Sequence, residues 1–185
     1  MVEIKFRILP KDVNQLKTMR PNEIKHLKEI EGLFIINLGE NFYGFYDEEI
    51  NDKVEFLKEP IIHWLNLLNE AAQLLSMHSY IALHVIGHAF KWMEFIPRDD
   101  ILNINMITVE PTIGQIPFVI TKPFDAFKNE WNDKVDKNNF ISEVVYKSEL
   151  FVQYISQINE KLLESAILSK FIMLIKKTKE IYNLE

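Results

Sequence analysis

Residues 77–92 read Met-His-Ser-Tyr-Ile-Ala-Leu-His-Val-Ile-Gly-His-Ala-Phe-Lys-Trp, and this stretch decides how the rest of the chain is interpreted. Between residues 79 and 85 its side chains alternate in character. One face carries Ile81, Leu83 and Val85, and the other carries Tyr80, Ala82 and His84. Because successive side chains face opposite sides of a β-strand, this period of two predicts a strand with one face in the core.

Three of the five histidines fall in this stretch. If the strand continues to residue 92, His84 and His88 share its outer face with His78. Their spacing of four also occurs in zinc-hydrolase helices, which carry a glutamate directly after the first histidine as general base. Here that position is Val85. The chain has no Cys that could complete a ligand set, so the residues favour histidines on a sheet face and no metal site.

The composition of the 185 residues predicts one globular domain, residues 1–185. Hydrophobic residues make up 48% of the chain, and the absence of Cys excludes disulfides and thiol redox catalysis. Because neither a signal peptide nor a bilayer-spanning apolar run is present in the sequence, we expect a cytoplasmic protein that does not bind membranes. The Lys, Asn and Ile content suggests a bacterial source.

The charge balance argues against nucleic-acid binding. With 21 basic and 27 acidic residues the formal net charge is −6, and such a field repels phosphate backbones unless a basic stripe overrides it. The lysines near the C-terminus suit the end of a helix, where cations complement the helix dipole. We therefore expect no nucleic-acid partner.

The N-terminal third combines a strand, short helices and a hairpin. Alternation over 2–8 predicts a strand that Pro10 ends, followed by a helix over Asp12–Met19 with Asp12 as its cap and further helical turns over 22–30. Residues 32–46 predict a hairpin around Gly39-Glu40-Asn41. Its five aromatic residues favour a hairpin buried on both faces over a ligand-binding platform.

Acidic residues collect between Glu40 and Glu59, where seven carboxylates face only two lysines. Such a run is commonly a solvated loop, but an acidic surface also attracts basic partners, and tyrosines are frequent interface anchors. We therefore take this segment as the candidate protein-binding site, formed by Tyr43, Tyr46, Asp47, Glu48, Glu49 and Asp52.

Pro60 opens the clearest helix of the first half, with His63, Asn66, Glu70 and Gln73 as its solvated polar face. Two strands over 91–96 and 101–109 follow, joined by a turn at 97–100, and a short edge strand is predicted over 116–121.

Residues 124–185 contain neither Gly nor Pro, which favours helices. Phe124, Phe127 and Trp131 recur at helical spacing, and after a polar break over 132–139 the helical period resumes at residue 141. The pattern beyond that point fits either one long helix or a helical hairpin hinged near Ser165.

The sequence therefore predicts an α+β fold: a mostly antiparallel sheet of about five to seven strands, covered by helices, with a helical C-terminal third.

No segment identifies a reaction. A Gly-x-Ser-x-Gly elbow is lacking, and the five glycines never cluster as phosphate loops require, so we assign no catalytic residue and no cofactor. Two alternatives to a binding protein stay open. One is a metal-dependent hydrolase that uses His78, His84 and His88 together with Asp99 or Glu94. The other is a structural module that dimerises through its C-terminal helices.

One resemblance concerns the order of segments. Phe6-Arg7-Ile8-Leu9-Pro10 precedes the segment from Gly32 to Glu40, and the strands around Trp92 and Arg98-Asp99-Asp100-Ile101 precede a helical tail. This layout resembles small bacterial α+β proteins, among them immunity proteins of polymorphic-toxin systems. The resemblance implies a cytoplasmic inhibitor that neutralises a cognate toxin by binding it, with no catalytic residues, and a basic toxin domain as the partner.

Because Val85 stands where a zinc hydrolase needs its glutamate, we predict that the purified native protein carries no stoichiometric transition metal. Elemental analysis checks this directly. One equivalent of zinc that is lost when His84→Ala and His88→Ala are combined would contradict the prediction.

Overall fold

The computed structural model describes residues 1–25, 30–50, 55–110 and 117–184, which form an α+β structure with two antiparallel sheets. The strands are β1 (Val2–Arg7), β2 (Glu31–Leu38), β3 (Asn41–Phe45), β4 (Glu59–Pro60), β5 (Ile81–His84), β6 (Lys91–Arg98), β7 (Ile101–Val109), β8 (Val119–Ile120) and β9 (Phe127–Asp136). The α-helices are α1 (Pro10–Thr18), α2 (Ile61–Leu74), α3 (Lys137–Asn159) and α4 (Ala166–Tyr182). Short 3-10 helices cover Pro21–Glu23, Glu55–Leu57 and Glu160–Glu164.

The α+β class and the helical C-terminal part are confirmed. The sheet prediction was too simple, because the described residues contain nine strands in two sheets where one sheet of five to seven was expected. No helix in the described ranges is both long and apolar enough to cross a membrane.

The first sheet has the order β1-β2-β3, with the two-residue β4 paired to the start of β2. The predicted hairpin is confirmed, because β2 and β3 pair across a two-residue turn at Gly39-Glu40. Burial on both faces is wrong for the second strand: Phe42 is 61% exposed and no residue of β3 is fully buried.

The segment after β1 differs in detail from the prediction. Helix α1 begins at Pro10, two residues before the predicted Asp12, and Asp12 is not its cap. Proline suits the first helical turn, where its missing N–H has no intrahelical acceptor. Of the helical turns predicted over 22–30, a 3-10 turn at Pro21–Glu23 is observed, and residues 26–29 lie outside the described residues.

The second sheet has the order β8-β5-β6-β7-β9, in which β5 is the central predicted strand and β6 the strand predicted from residue 91. The alternation is confirmed: Ile81, Leu83 and Val85 are in the main core, while Tyr80 and Ala82 join a smaller cluster on the other face. The strand ends at His84, however, because the Val85 N–H bonds to the Lys91 carbonyl and closes a hairpin. Gly87, with φ of 79°, allows this turn.

The helix predicted from Phe124 to Trp131 is wrong, because residues 127–136 form the edge strand β9 along β7. The register shift between Met106 and Ile107 is a bulge in β9 that places Phe127 and Trp131 on opposite faces of the strand, so the aromatic residues do not show a strand's simple alternation. The expected polar break at 132–139 is the rest of this strand and the start of α3.

Helix α2 is enclosed almost completely, with eleven of its fourteen residues buried. His63, predicted to be solvated, is only 6% exposed, and Gln73 of the same predicted polar face is 8% exposed. The error arises because residues of other elements cover the polar side of this helix. Gln73, for example, donates to Thr178 of α4 at 3.1 Å.

Of the two arrangements that the sequence left open for the C-terminal segment, one long helix or a helical hairpin, the structure has the hairpin. Helix α3 starts at a cap in which Asp136 accepts from the Asn139 N–H at 2.7 Å. Helix α4 starts where Ser165 accepts from the Leu168 N–H at 3.2 Å, so the hinge lies where it was expected. Helix α3 packs against β1 and β9, and α4 packs against α2 and α3, so all three helices share the main apolar core.

Phe151 tests the packing of α3. Its ring is fully buried and meets Phe6 and Phe171 edge-on at centroid distances of 5.6 and 6.0 Å. We predict that Phe151→Ala lowers the free energy of unfolding by about 3–5 kcal/mol in denaturant titrations, because it leaves a cavity between these rings.

Met173→Ala is the control for Phe151→Ala, since Met173 is 71% exposed on α4. Its effect should stay within about 0.5 kcal/mol. A loss under about 1 kcal/mol for Phe151→Ala would contradict the packing described here.

Candidate protein-binding site

The loop after β3, residues 47–49, has a backbone fixed by other parts of the chain. Arg7 of β1 donates from Nη1 to the carbonyls of Asp47 and Glu48 at 3.2 and 2.6 Å. Within the loop, Oδ1 of Asp47 accepts from the Glu49 N–H at 2.7 Å. These three bonds constrain the backbone of the acidic loop in the free chain.

The carboxylates of Glu48 and Glu49 face solvent from this fixed backbone. In the described part of the chain, no ion pair or hydrogen bond engages either carboxylate, so both are available to a cation. Asp52, the fourth predicted acid, lies outside the described residues.

A groove of about 350 Å³ borders the acidic loop. It runs between β1 and α3 and is lined by Phe6, Arg7, Tyr46, Leu150, Gln153, Tyr154 and Gln157. Arg7 belongs to both features, because it lines the groove and holds the loop. The structure thus brings Tyr46, Asp47, Glu48 and Glu49 together at one end of an aromatic groove, which we call the Tyr46 groove.

Tyr43 has a different position from the other predicted site residues. Its ring lies 4.9 Å from the Trp64 ring, and its hydroxyl donates to Oε1 of Glu59 at 3.2 Å. Burial, and then the charge and hydrogen bond of Glu59, raise the pKa of the Tyr43 hydroxyl far above its ordinary value. Tyr43 therefore belongs to an internal network and does not line the Tyr46 groove.

Glu59 is the centre of that network, which the sequence did not reveal. Its second oxygen, Oε2, accepts from the Trp64 indole N–H at 2.9 Å. Burial raises the pKa of the Glu59 carboxyl; the bonds from Trp64 and Tyr43 and the nearby His88 lower it, and the net pKa stays above its ordinary value. In the sequence, Glu59 is the last of the acidic residues between positions 40 and 59, and it was expected to be solvent-exposed like the others.

The central histidines do not converge. The His84 ring lies 4.8 Å from Trp92, on the face of the second sheet that carries the smaller apolar cluster. His88 lies in the β5–β6 turn, 6.5 Å from the Tyr43 ring. Within residues 1–25, 30–50, 55–110 and 117–184, no three His, Asp or Glu side chains are placed to hold a metal ion.

Glu94, named with the histidines in the hydrolase hypothesis, is buried in the smaller cluster at 1% exposure. One of its oxygens accepts from the Tyr80 hydroxyl and the other from the Asn105 amide, at 2.5 and 2.9 Å. Asp99 lies in the β6–β7 turn, at the opposite end of β6 from the residues that pair with His84. His84, His88, Glu94 and Asp99, which the hydrolase hypothesis needs in one site, therefore lie apart from one another.

Comparisons with protein-family profiles, with curated proteins and with solved structures gave no significant match.

The raised pKa of Glu59 gives a prediction with a definite sign. A carboxyl whose pKa is higher in the folded state stabilises the fold below its unfolded pKa of about 4.3, and loses that contribution as pH rises through the folded pKa. We predict that the free energy of unfolding of the native protein, relative to Glu59→Gln, falls as pH rises from about 4 to 8.

Denaturant titrations at a series of pH values measure this difference. Glu160→Gln is the control, since it removes one exposed acid and reports the effect of net charge alone. A difference that grows with pH would contradict the assigned direction of the Glu59 shift.

Proposed function

We propose that this protein acts without catalysis, by binding a basic protein partner through residues 47–49 and the Tyr46 groove. The observation that carries the proposal is the pairing of two solvent-facing carboxylates, Glu48 and Glu49, with a loop backbone held by Arg7. A surface that is charged and already ordered is suited to recognition.

Preorganisation supports this function energetically. Binding normally costs free energy because loops and side chains must be ordered at the interface. The hydrogen bonds of Arg7 and Asp47 have already ordered this loop in the free protein. A partner therefore gains the attraction of the carboxylates without that cost.

The groove supplies the second part of the interface. Tyr46 and Tyr154 border a space of about 350 Å³, which is large enough for one anchoring side chain of a partner. Tyrosines are frequent at the centres of interfaces, because they bury a large apolar area and keep a polar end. Lys5 lies 6.0 Å above the Tyr46 ring and helps to hold it beside the groove.

The partner class follows from the resemblance in segment order. We propose a bacterial immunity protein in the cytoplasm, whose partner is a toxin with a basic domain. A net charge of −6 is compatible with this role, since acidic inhibitors attract basic enzymes over long distances. Neutralisation by binding also needs no catalytic residue in the inhibitor.

Reversal of the free carboxylates tests the proposal. The double variant Glu48→Lys/Glu49→Lys keeps Asp47, whose side chain holds the loop. We predict association with the toxin-domain partner about tenfold slower or more at low ionic strength, with a weaker dependence on salt, because electrostatic steering is lost. Stopped-flow or interferometry at several salt concentrations measures the rate.

Glu110→Lys/Asp125→Lys is the matched control, since it changes the net charge equally at two exposed acids outside the loop. Far-UV circular dichroism checks that both variants fold. If the loop and control variants slow association equally, net charge and not the loop is responsible, and the proposed site is wrong.

A further inference from the structure

A second groove, of about 990 Å³, lies between α3 and α4, and each of these helices forms one of its walls. Its apolar lining comes from both helices and from the residues next to them: Val152, Leu163, Ile172, Ile175 and Leu184. Leu184 is held at the end of α4, because its N–H bonds to the Lys179 carbonyl beyond the left-handed Asn183. The α4 wall therefore presents aliphatic side chains at both of its ends.

The charges on this groove are balanced, although the whole chain is acidic. Glu149 of α3 and Lys179 of α4 form an ion pair of 2.6 Å between the two walls. Lys176 and Glu180 lie one helical turn apart on the α4 wall, and both are exposed. Across the part of the chain that the structure describes, neither of these two side chains has an ion-pair partner.

We propose that this groove is the interface of a homodimer, in which α4 packs antiparallel against α4 of a second copy. In an antiparallel pair related by a twofold axis, two facing residues have position numbers with a constant sum, and each contact occurs twice. An axis near position 178 places Lys176 opposite Glu180 of the other copy. The same register places Ile172 opposite Leu184.

This register pairs four groove residues of the α4 wall with partners of opposite charge or of the same apolar character. Lys176 and Glu180 make two reciprocal ion pairs, and Ile172 and Leu184 make two apolar contacts on either side of them. A shift of the axis to position 176 would bring Lys176 against its own copy and Ile172 against Glu180, which is unfavourable in charge and in polarity. The charges of α4 thus select one arrangement.

A second copy fits this groove better than the basic partner proposed for the acidic loop. The rim carries two acids, Glu149 and Glu180, and two bases, Lys176 and Lys179, so it offers a basic protein no net attraction. For a second copy the same balance is favourable, because two chains that each carry a net charge of −6 meet here at a surface without net charge.

Charge exchange at α4 tests the dimer in purified protein. Sedimentation equilibrium over a range of concentrations should show a reversible dimer for the native chain. Lys176→Glu and Glu180→Lys should each raise the dissociation constant about tenfold or more, because each turns two attractive pairs into repulsive ones. An equimolar mixture of the two variants should dimerise again, since every facing pair is then of opposite charge.

Lys170→Glu is the control, because it makes the same change at an exposed lysine of α4 that does not line this groove. Its dimerisation should match that of the native chain. A native protein that stays monomeric overturns the proposal and leaves the groove to a different partner. Loss of dimer in both variants without recovery in the mixture overturns the register. Neither result depends on the acidic loop, so the binding function is tested separately.

Discussion

The burial of helix α2 is the constraint on which the rest of the structure depends. A helix with eleven of fourteen residues buried must satisfy its polar side chains inside the protein, since water cannot reach them. Asn69 donates to Ser148 of α3 at 2.7 Å, and Gln73 donates to Thr178 of α4 at 3.1 Å. At the start of the helix, Trp64 donates to Glu59. The polar residues of α2 therefore fix the rotation of this helix about its axis relative to α3 and α4. Apolar packing alone would define that rotation less uniquely.

Two further contacts fix the position of the β2–β3 hairpin, which precedes the acidic loop. Tyr43 of β3 reaches Glu59 beside α2, and Asp133 of β9 accepts from the N–H groups of Glu40 and Asn41 at 2.7 and 3.2 Å. Burial raises the pKa of Asp133, but the bonds from Glu40, Asn41 and Lys134 outweigh this effect, and the net pKa lies below its ordinary value. Gly39 is required beside Asp133, because a side chain there would meet this carboxylate. The hairpin is held at its tip and its middle, so the loop leaves a fixed strand.

Local patterns of the sequence predicted the elements that local physics determines. The strand over 2–8 and the hairpin around Gly39 follow from alternation and turn residues, whereas the helical period beyond residue 141 left one helix and a hairpin hinged near Ser165 equally open. Prediction failed where a bulge interrupts the alternation of a strand, as in β9, or where distant residues decide burial, as at His63. At the candidate site, the acids and Tyr46 could be grouped from the sequence because they are neighbours in the chain. Glu59 was missed as the centre of a network because its partners reach it through the fold.

The histidines and the acidic loop show why spacing along the chain is a weak guide to chemistry here. A separation of four fixes geometry only inside one continuous element, and the turn after His84 ends that element before His88. The geometry of the acidic loop, by contrast, depends on residues far away in the sequence. Arg7, about forty residues earlier, bonds to its backbone, and α3, about a hundred residues later, forms one side of the adjacent groove. A recognition surface assembled from such distant segments leaves no motif in the sequence. The lack of a motif therefore does not argue against the proposed binding surface.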